Sequence, residues 1–411
     1  MLETLGRFRF YKYPYLQPYW KGEETRAMID CFVKNRMILG PSISELENEI
    51  QKAHGSHYVF GTNSGRAAIQ LILESMRRDD RNEVLVPSFG CSGIIQPIVQ
   101  SGMRPVFLDI GMDLNVDIDY LAESMTDKTR ALIVPNMSGQ PAEWAAIGRI
   151  ARENDLFVID DAAQAVGARY KGKPIGTLGD AGIFSFTLGK IISATGGGAI
   201  LTNSEELSEK LTQRRVPNEH YFDVSFRAAG VLMRGKYRSY TLPFFSIKNL
   251  FMKFARKNKF EFTTAKISNI DASICLEQLK RIDEIILLRR RNAKILDDEL
   301  SGIDSITLPE RTADSVFTKY IVKFDSIAKT ERLSHAKEAK DFAIFLAKAG
   351  IETEWSYTPL HLRIPFSKYH KLPLPYTDEV WRRLITLPLN PNFDEEQMKY
   401  IASKAKGYFN R

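Results

Sequence analysis

The sequence contains few cysteines and no long apolar run. Its 411 residues include three cysteines, Cys31, Cys91 and Cys275, which are too widely spaced for a disulfide framework or a CxxC metal site. The N-terminus, MLETLGRFRFYKYPY, lacks the apolar core of a signal peptide. No stretch approaches the roughly 20 apolar residues that span a bilayer. We therefore expect a cytoplasmic protein in a reducing compartment, with no metal site.

Acidic residues are absent from one segment of the chain. Residues 224–260 contain nine Lys and Arg residues and no Asp or Glu. The net charge of the whole chain is +7, so the residues outside this segment have a net charge of only −2. Within this segment Ile247, Leu250, Phe251 and Phe254 follow helical spacing, with basic residues on other faces. The pattern predicts an amphipathic basic helix.

Two interpretations of this helix stay open. In the first, it packs on its own dimer and its charges surround the entrance for a nucleotide diphosphate. In the second, it attaches the protein to an anionic membrane or to a membrane-bound enzyme. Nucleic acid is not an expected partner, because no recognised RNA-binding module accompanies the charge.

The rest of the composition indicates a globular protein built from alternating strands and helices. It is 44% hydrophobic and 26% charged, which excludes a disordered or collagenous chain. Helical patterns at 66–76 and 144–154 alternate with apolar runs of strand length at 84–89, 105–110, 131–136, 156–162, 182–187 and 197–202. This alternation predicts an α/β fold, a mostly parallel central sheet with helices on both faces. In such sheets ligands bind beyond the carboxyl ends of the strands.

The pattern changes after the basic segment. Residues 268–300 predict one long helix, and shorter runs predict strands at 306–309 and 320–324 and helices at 331–348 and after 394. Few strands mixed with helices indicate a smaller α+β domain. We predict an N-terminal arm (1–40), a large cofactor-binding domain (41–265) that contains the basic segment, and a small C-terminal domain (266–411).

Two chemically active side chains follow predicted strands. Asp161 ends the run at 156–162, and a carboxylate beside a buried strand is costly unless it is paired, although a helix N-cap would also explain it. Lys190 follows the run at 182–187 and precedes Gly196, Gly197 and Gly198. It is either a solvated loop lysine or a lysine whose pKa burial lowers, which can then form a Schiff base.

A third signal is the small-residue turn before the helix predicted at 66–76. Gly65, Arg66 and Ala67 open this helix, and the backbone N–H groups at a helix start bind phosphate. This signal is weak alone, because Gly-Ser turns open many helices. The combination is specific, since a phosphate loop, an acid that ends a strand, then a serine and a lysine are what pyridoxal phosphate needs. The spacing of 29 residues from Asp161 to Lys190 suits a crossover and a return strand.

With these motifs, the sequence resembles the sugar-nucleotide aminotransferases of the DegT/StrS type, in the aspartate-aminotransferase-like superfamily. The resemblance runs nearly from end to end. Its motifs are Gly40-Pro41, Asn63-Ser64-Gly65, Val86-Pro87-Ser88-Phe89, Gly139-Gln140-Pro141, Asp160-Asp161-Ala162-Ala163-Gln164, Phe184-Ser185-Phe186 with Lys190, Gln278-Leu279, Pro359-Leu360-His361 and Leu387-Pro388-Leu389.

The resemblance implies pyridoxal 5′-phosphate as cofactor and assigns roles around it. Lys190 looks like the lysine that forms the Schiff base and moves a proton between the substrate Cα and C4′ of the cofactor. Asp161 resembles the carboxylate that pairs with the pyridine nitrogen. Ala163 is similar to the small residue against one ring face, and Gln164 to the side chain near the phenolic oxygen.

Further assignments concern the phosphate and the substrate. Ser185, with the backbone at Gly65, Arg66 and Ala67, is similar to the phosphate cup of the family. His361 matches a position near the substrate mouth, although a structural hydrogen-bonding role is an equal alternative. Relatives form homodimers whose sites use both chains.

Three positions depart from the family pattern. Arg66 replaces a common Thr, Cys91 stands where an aromatic residue often covers the ring, and Lys266 aligns with the Arg of an Asn-Tyr-Arg stretch that reaches the neighbouring subunit's phosphate. Lys266 keeps a positive charge and loses the forked geometry of Arg.

The resemblance implies transfer of an amino group, from glutamate, to a nucleotide-linked keto-sugar, for amino-sugar, polysaccharide or glycan synthesis. Two alternatives stay open. One is a sugar dehydratase of the same fold, but those relatives have His where this chain has Lys190. The other is a non-catalytic, cofactor-binding regulator or scaffold.

Overall fold

The computed structural model describes residues 11–78, 80–218, 224, 263–310, 312, 314–325, 335–355 and 357–411. The basic helix predicted at 247–254 lies outside these residues. Within the described ranges, no helix is long and apolar enough to cross a bilayer, and no group of three or more His, Cys, Asp or Glu residues could hold a metal ion.

Strands and helices alternate along the first half of the chain. The strands are β1 (Tyr58–Thr62), β2 (Glu83–Pro87), β3 (Arg104–Leu108), β4 (Thr129–Pro135), β5 (Phe157–Asp161), β6 (Arg169–Tyr170), β7 (Lys173–Pro174), β8 (Ala181–Ser185) and β9 (Gly198–Thr202). The helices are α1 (Glu23–Val33), α2 (Ser42–His54), α3 (Gly65–Met76), α4 (Ile95–Gln100), α5 (Ile118–Glu123), α6 (Trp144–Glu153) and α7 (Glu205–Arg214).

Seven of these strands form the central sheet, in the order β1-β9-β8-β5-β4-β2-β3. Strand β9 runs antiparallel to both neighbours, and the other pairs are parallel. All seven residues of β4 are buried, as expected for a sheet that helices cover on both faces. The predicted α/β fold with a mostly parallel sheet is confirmed.

The C-terminal part contains a second sheet. It consists of β10 (Ile306–Thr307), β11 (Tyr320–Phe324), β12 (Glu354–Trp355) and β13 (Leu384–Leu387), all antiparallel in the order β10-β11-β13-β12. The helices of this part are α8 (Asn269–Leu279), α9 (Ile282–Leu300), α10 (Lys337–Lys348), α11 (Pro375–Val380) and α12 (Glu395–Phe409). This sheet and the helices α9, α10 and α12 share a hydrophobic core of their own.

The long helix predicted at 268–300 is two helices, α8 and α9. The chain leaves helical geometry at Arg281, with φ −121° and ψ 18°. The guanidinium of Arg281 contacts the carboxylate of Glu24, a fully buried side chain of α1. A buried carboxylate needs a cationic partner, and this ion pair accompanies a break that the apolar periodicity does not show.

Candidate active site

Two neighbouring carboxylates at the end of β5 have different surroundings. Asp160 is fully buried and accepts hydrogen bonds from Gly176 N (2.6 Å), Leu178 N (3.1 Å) and Asn136 Nδ2 (2.9 Å). Burial raises the pKa of Asp160 to about 7. These bonds hold the loop that follows β7, so Asp160 serves the fold.

Asp161 faces a cavity instead. One of its oxygens, Oδ1, accepts a hydrogen bond from Ala163 N at 2.9 Å, and the side chain is buried. Burial raises the pKa of Asp161, and the charge of Lys190 opposes that rise. The carboxylate therefore lies within electrostatic range of the lysine, at the carboxyl end of a central strand.

Lys190 lies in the loop that follows β8. Its backbone N donates to Thr187 O at 3.2 Å, and its carbonyl accepts from Ser193 Oγ at 2.8 Å. Burial lowers the pKa of the Lys190 ammonium, while the nearby Cys91 and Asp161 raise it. This direction agrees with the second interpretation of Lys190, because a lowered pKa favours the neutral amine that a nucleophile requires.

The start of α3 forms an anion site beside these groups. Ser64 caps the helix, because its Oγ accepts a hydrogen bond from Ala67 N at 3.1 Å. The first-turn N–H groups of a helix have no partner within the helix, and its dipole favours an anion there. A Cβ on Gly65 would lie 3.1 Å from Ser185 Cβ, so glycine lets the serine approach the helix start. Ser185 Oγ and Thr187 Oγ1 are 3.2 Å apart and add two hydroxyl groups.

One cavity of about 860 Å³ joins these features. It brings together eight of the eleven residues predicted for the site, namely Gly65, Arg66, Cys91, Asp161, Ala163, Gln164, Ser185 and Lys190. The residue set fits pyridoxal phosphate, since it offers a helix start and hydroxyls for a phosphate, a buried carboxylate for a ring nitrogen and a lysine for an aldehyde.

Three predicted site residues do not line this cavity. The Ala67 N–H is taken by Ser64, as described above. Lys266 is half-buried, and its backbone N donates to Val216 O at 2.9 Å. His361 is buried, with Nδ1 2.6 Å from Ser88 Oγ and Nε2 2.9 Å from Asp378 Oδ1. Both nitrogens are engaged within the fold, so the geometry favours the structural alternative for His361 over contact with substrate.

The cavity also contains residues that the sequence analysis missed. Thr187 was overlooked, although it lies two residues after Ser185, the spacing that places neighbouring strand residues on one face. Arg363, Phe366 and Tyr369 also line the cavity, from the segment after His361. No local signal identifies them, because they reach the cavity only through the packing of a distant segment.

The chain resembles known proteins over most of its length. The sequence model of the DegT/DnrJ/EryC1/StrS aminotransferase family matches residues 18–406. The chain is 28% identical over 398 residues to a pleiotropic regulatory protein of Geobacillus stearothermophilus, covering 95% of each chain. It is 26% identical over 404 residues to the GDP-perosamine synthase of Vibrio cholerae, covering 97% of this chain and 99% of the relative.

A solved structure shares the fold. PseC of Helicobacter pylori, an aminotransferase involved in the biosynthesis of pseudoaminic acid, superposes with a TM-score of 0.79 at 20% identity. The superposition covers 97% of this chain and 99% of PseC.

Proposed function

Because the chain belongs to the DegT/DnrJ/EryC1/StrS aminotransferase family, we propose that it moves an amino group from glutamate onto a keto-sugar carried on a nucleotide. The cofactor is pyridoxal 5′-phosphate, and the product is an amino sugar for polysaccharide or glycan synthesis. Relatives named for amino-sugar synthesis, such as GDP-perosamine synthase, support this substrate class.

One observation carries the proposal. Asp161 and Lys190 come from different strand ends and line the same cavity, and the helix start at Gly65 opens into that cavity. A carboxylate, a lysine of lowered pKa and an anion site in one cavity are the groups that bind and use this cofactor.

Each residue then has a defined task. When bound, pyridoxal phosphate supplies a ring that accepts the electron pair left on a carbon after proton removal. Asp161 holds a negative charge at the ring nitrogen and so keeps that nitrogen protonated. Ser185, Thr187 and the N–H groups at the start of α3 hold the phosphate. Ala163 and Gln164 line the same cavity, so Ala163 would leave room for the ring and the Gln164 amide would face it.

Lys190 is the base that accepts and returns the protons. Its Nζ takes a proton from the Cα of the amino donor and returns a proton at the sugar carbon in the second half of the reaction. One positioned base suffices for both halves, because the second half is the reverse of the first. The lowered pKa favours the neutral, proton-accepting form of this amine.

Two observations argue against the alternatives. A dehydratase of this fold carries His at the position of Lys190, so the lysine favours amino transfer. A non-catalytic regulator, the role that the name of the Geobacillus relative suggests for that protein, would need Asp161 and Lys190 to bind the cofactor. It would not need the cavity of about 860 Å³ beside them, which has room for a sugar nucleotide as well.

The decisive experiment separates these functions. The protein is loaded with pyridoxamine phosphate and offered a panel of nucleotide-linked keto-sugars, and the products are identified by mass and NMR. We expect an aminated sugar nucleotide and return of the cofactor's yellow colour. Loss of a sugar hydroxyl without gain of nitrogen would indicate the dehydratase, and no change with any sugar, or with glutamate, would favour the regulator.

The surroundings of the enzyme are part of the proposal. We place it in the cytoplasm, where nucleotide sugars and a reducing environment suit its three free thiols. We also propose that it forms a homodimer. The basic segment 224–260 then either borders the nucleotide entrance or contacts an anionic membrane.

A further inference from the structure

A second, smaller cavity also reaches Lys190. It has a volume of about 120 Å³, the space of roughly four water molecules. Its wall is formed by the N-terminal segment around Tyr15, by α9 through Arg289, and by Lys319 and Glu354 near the second sheet. The N-terminal wall is fixed, because Tyr15 N donates to Glu352 Oε2 at 2.8 Å and Asn390 Nδ2 donates to Gln17 O at 3.1 Å.

Arg289 is a buried cation in the wall of this cavity with incomplete hydrogen bonding. Its side chain is 8% exposed. Its Nη1 makes two long contacts, of 3.3 Å each, to the carbonyls of Phe317 and Thr318. Among the described residues, its Nε has no hydrogen-bond partner and its guanidinium has no carboxylate partner. A buried guanidinium in this state lacks the anion that would offset its desolvation.

The other charges of the cavity do not supply that anion. Lys319 Nζ lies 2.5 Å from Glu354 Oε2, so these two groups neutralise each other. Lys319 also lies over the Tyr357 ring, 4.4 Å from its centroid. Glu354 is the one carboxylate in the described wall, beside two cations, Arg289 and Lys319, and the amine of Lys190, whose pKa burial lowers. The cavity is therefore suited to one further negative charge beside Lys190.

We propose that this cavity binds a carboxylate of the amino donor, held by Arg289. The fork of a guanidinium matches the two oxygens of a carboxylate. The volume accommodates such a group with one or two carbons. The larger cavity, of about 860 Å³, is left for the sugar nucleotide. This inference rests on the proposed function, because it divides the two substrates of that reaction between two cavities that meet at Lys190.

The test uses ligands that cannot react. Glutarate, which lacks an amine, is titrated by calorimetry into the cofactor-loaded protein, and neutral glutaramide serves as the matched probe. We expect glutarate to bind and glutaramide not to bind. Arg289→Met should weaken glutarate binding about tenfold or more, the usual effect of losing a charge-assisted hydrogen bond. Arg290→Met removes the neighbouring arginine, whose Nε donates to Ser315 O away from the cavity, and should bind as the wild type does.

A second variant covers the case in which Arg289→Met does not fold. Arg289→Lys keeps the charge and loses the fork, so glutarate should bind several-fold more weakly, and the apparent KM for glutamate should rise while that for the sugar nucleotide stays constant. Equal binding of glutarate and glutaramide, or glutarate binding that neither Arg289 variant changes, overturns the subsite. Arg289-dependent glutarate binding without any sugar amination would instead reject the proposed function and leave the subsite standing.

Discussion

At the scale of single residues, the two aspartates at the end of β5 have separate tasks that substitution can distinguish. Asp161→Asn keeps the size of the side chain and removes the charge that protonates a bound pyridine nitrogen. We expect the rate of amino transfer to fall roughly hundredfold or more, since loss of one electrostatic group in a closed site has that effect. Stopped-flow absorbance of the half-reaction with glutamate measures it.

Asp160→Asn is the matched comparison. Asn offers one acceptor oxygen where Asp160 accepts three hydrogen bonds, so the free energy of unfolding should fall by about 1–3 kcal/mol. If Asp161→Asn lowered only the free energy of unfolding, and Asp160→Asn lowered only the rate of amino transfer, the two assignments would be reversed.

The exposed thiol of Cys91 offers a chemical probe of the cavity. Cys91 lines the cavity and is exposed, whereas Cys31 and Cys275 are buried. Iodoacetamide should therefore modify one cysteine of the native protein, identified by peptide mass spectrometry, and should block cofactor binding. Bound pyridoxal phosphate should slow the modification. Cys91→Ser should bind the cofactor and resist the reagent, and a Cys91→Ser protein that is still inactivated would argue against this geometry.

His335 gives the molecule a predicted sensitivity to acid. Its ring stacks on Trp355 with a centroid distance of 4.2 Å and meets the edge of Trp381 at 5.0 Å. Burial lowers the pKa of His335 from 6.5 to about 4. Between these values the unfolded chain binds more protons than the folded one, so stability is present above pH 6.5 and is lost as the pH falls toward 4.

The substitution His335→Phe tests this directly. Phe keeps the ring contacts and cannot take up a proton. Denaturant unfolding followed by tryptophan fluorescence should show that the wild type loses of the order of 2 kcal/mol more than His335→Phe between pH 6.5 and 4. Equal losses in the two proteins would mean that this imidazole titrates normally in the folded state.

At the scale of elements, alanine substitution at two glycines should change the stability of the protein in opposite directions. A Cβ on Gly198, at the start of β9, would lie 2.6 Å from Phe184 O and 2.7 Å from Gly65 N. Gly198→Ala should therefore push β9 away from the start of α3, lower the midpoint of thermal unfolding and weaken cofactor binding.

Gly407 lies inside α12, and apart from the backbone of its own helix no atom lies within 4 Å of its Cβ position. Gly407→Ala should stabilise the protein by about 1 kcal/mol. Calorimetric unfolding of both variants, with and without cofactor, checks these signs.

Local patterns predicted the elements well and their pairing less well. Apolar runs located five parallel strands, because both faces of each are buried and rich in β-branched residues. They missed β1, and they could not show that β9 runs antiparallel, since its direction is set by its neighbours β1 and β8. Arg281, at the break between α8 and α9, pairs with the distant Glu24, and no window of sequence contains that contact.

The same limit applies to the site. Residues next to strand ends, such as Asp161 and Lys190, were accessible from local pattern because strand direction places them at one sheet edge. Arg289 was not identified, since its importance comes from burial without a carboxylate partner, and burial is a property of the folded chain. The motif Pro359-Leu360-His361 does not show whether His361 contacts substrate or is hydrogen-bonded within the fold. In the structure its two ring nitrogens lie against Ser88 and Asp378.

At the scale of the whole molecule, one apolar surface bears on the proposed homodimer. Ile29, Phe32 and Val33 share a face of α1 at helical spacing, and they are 54%, 42% and 80% exposed. Leu39, six residues later, is 62% exposed. An exposed apolar helix face of this kind is costly in water and is typical of an interface. In the homodimer proposed above, a second copy of the chain would cover this surface.

Substitution within this surface tests the assembly. The chain has a mass of 46.8 kDa, so a homodimer should show about twice that mass by light scattering. Val33→Glu places a charge in the surface and should shift the protein toward the monomer at micromolar concentration, because an unpaired charge at an interface costs several kcal/mol. Met112→Glu is the matched control, since Met112 is 85% exposed on a different part of the fold. A wild-type mass near that of one chain would reject the homodimer, and a Val33→Glu protein that stays dimeric would place the interface on another surface.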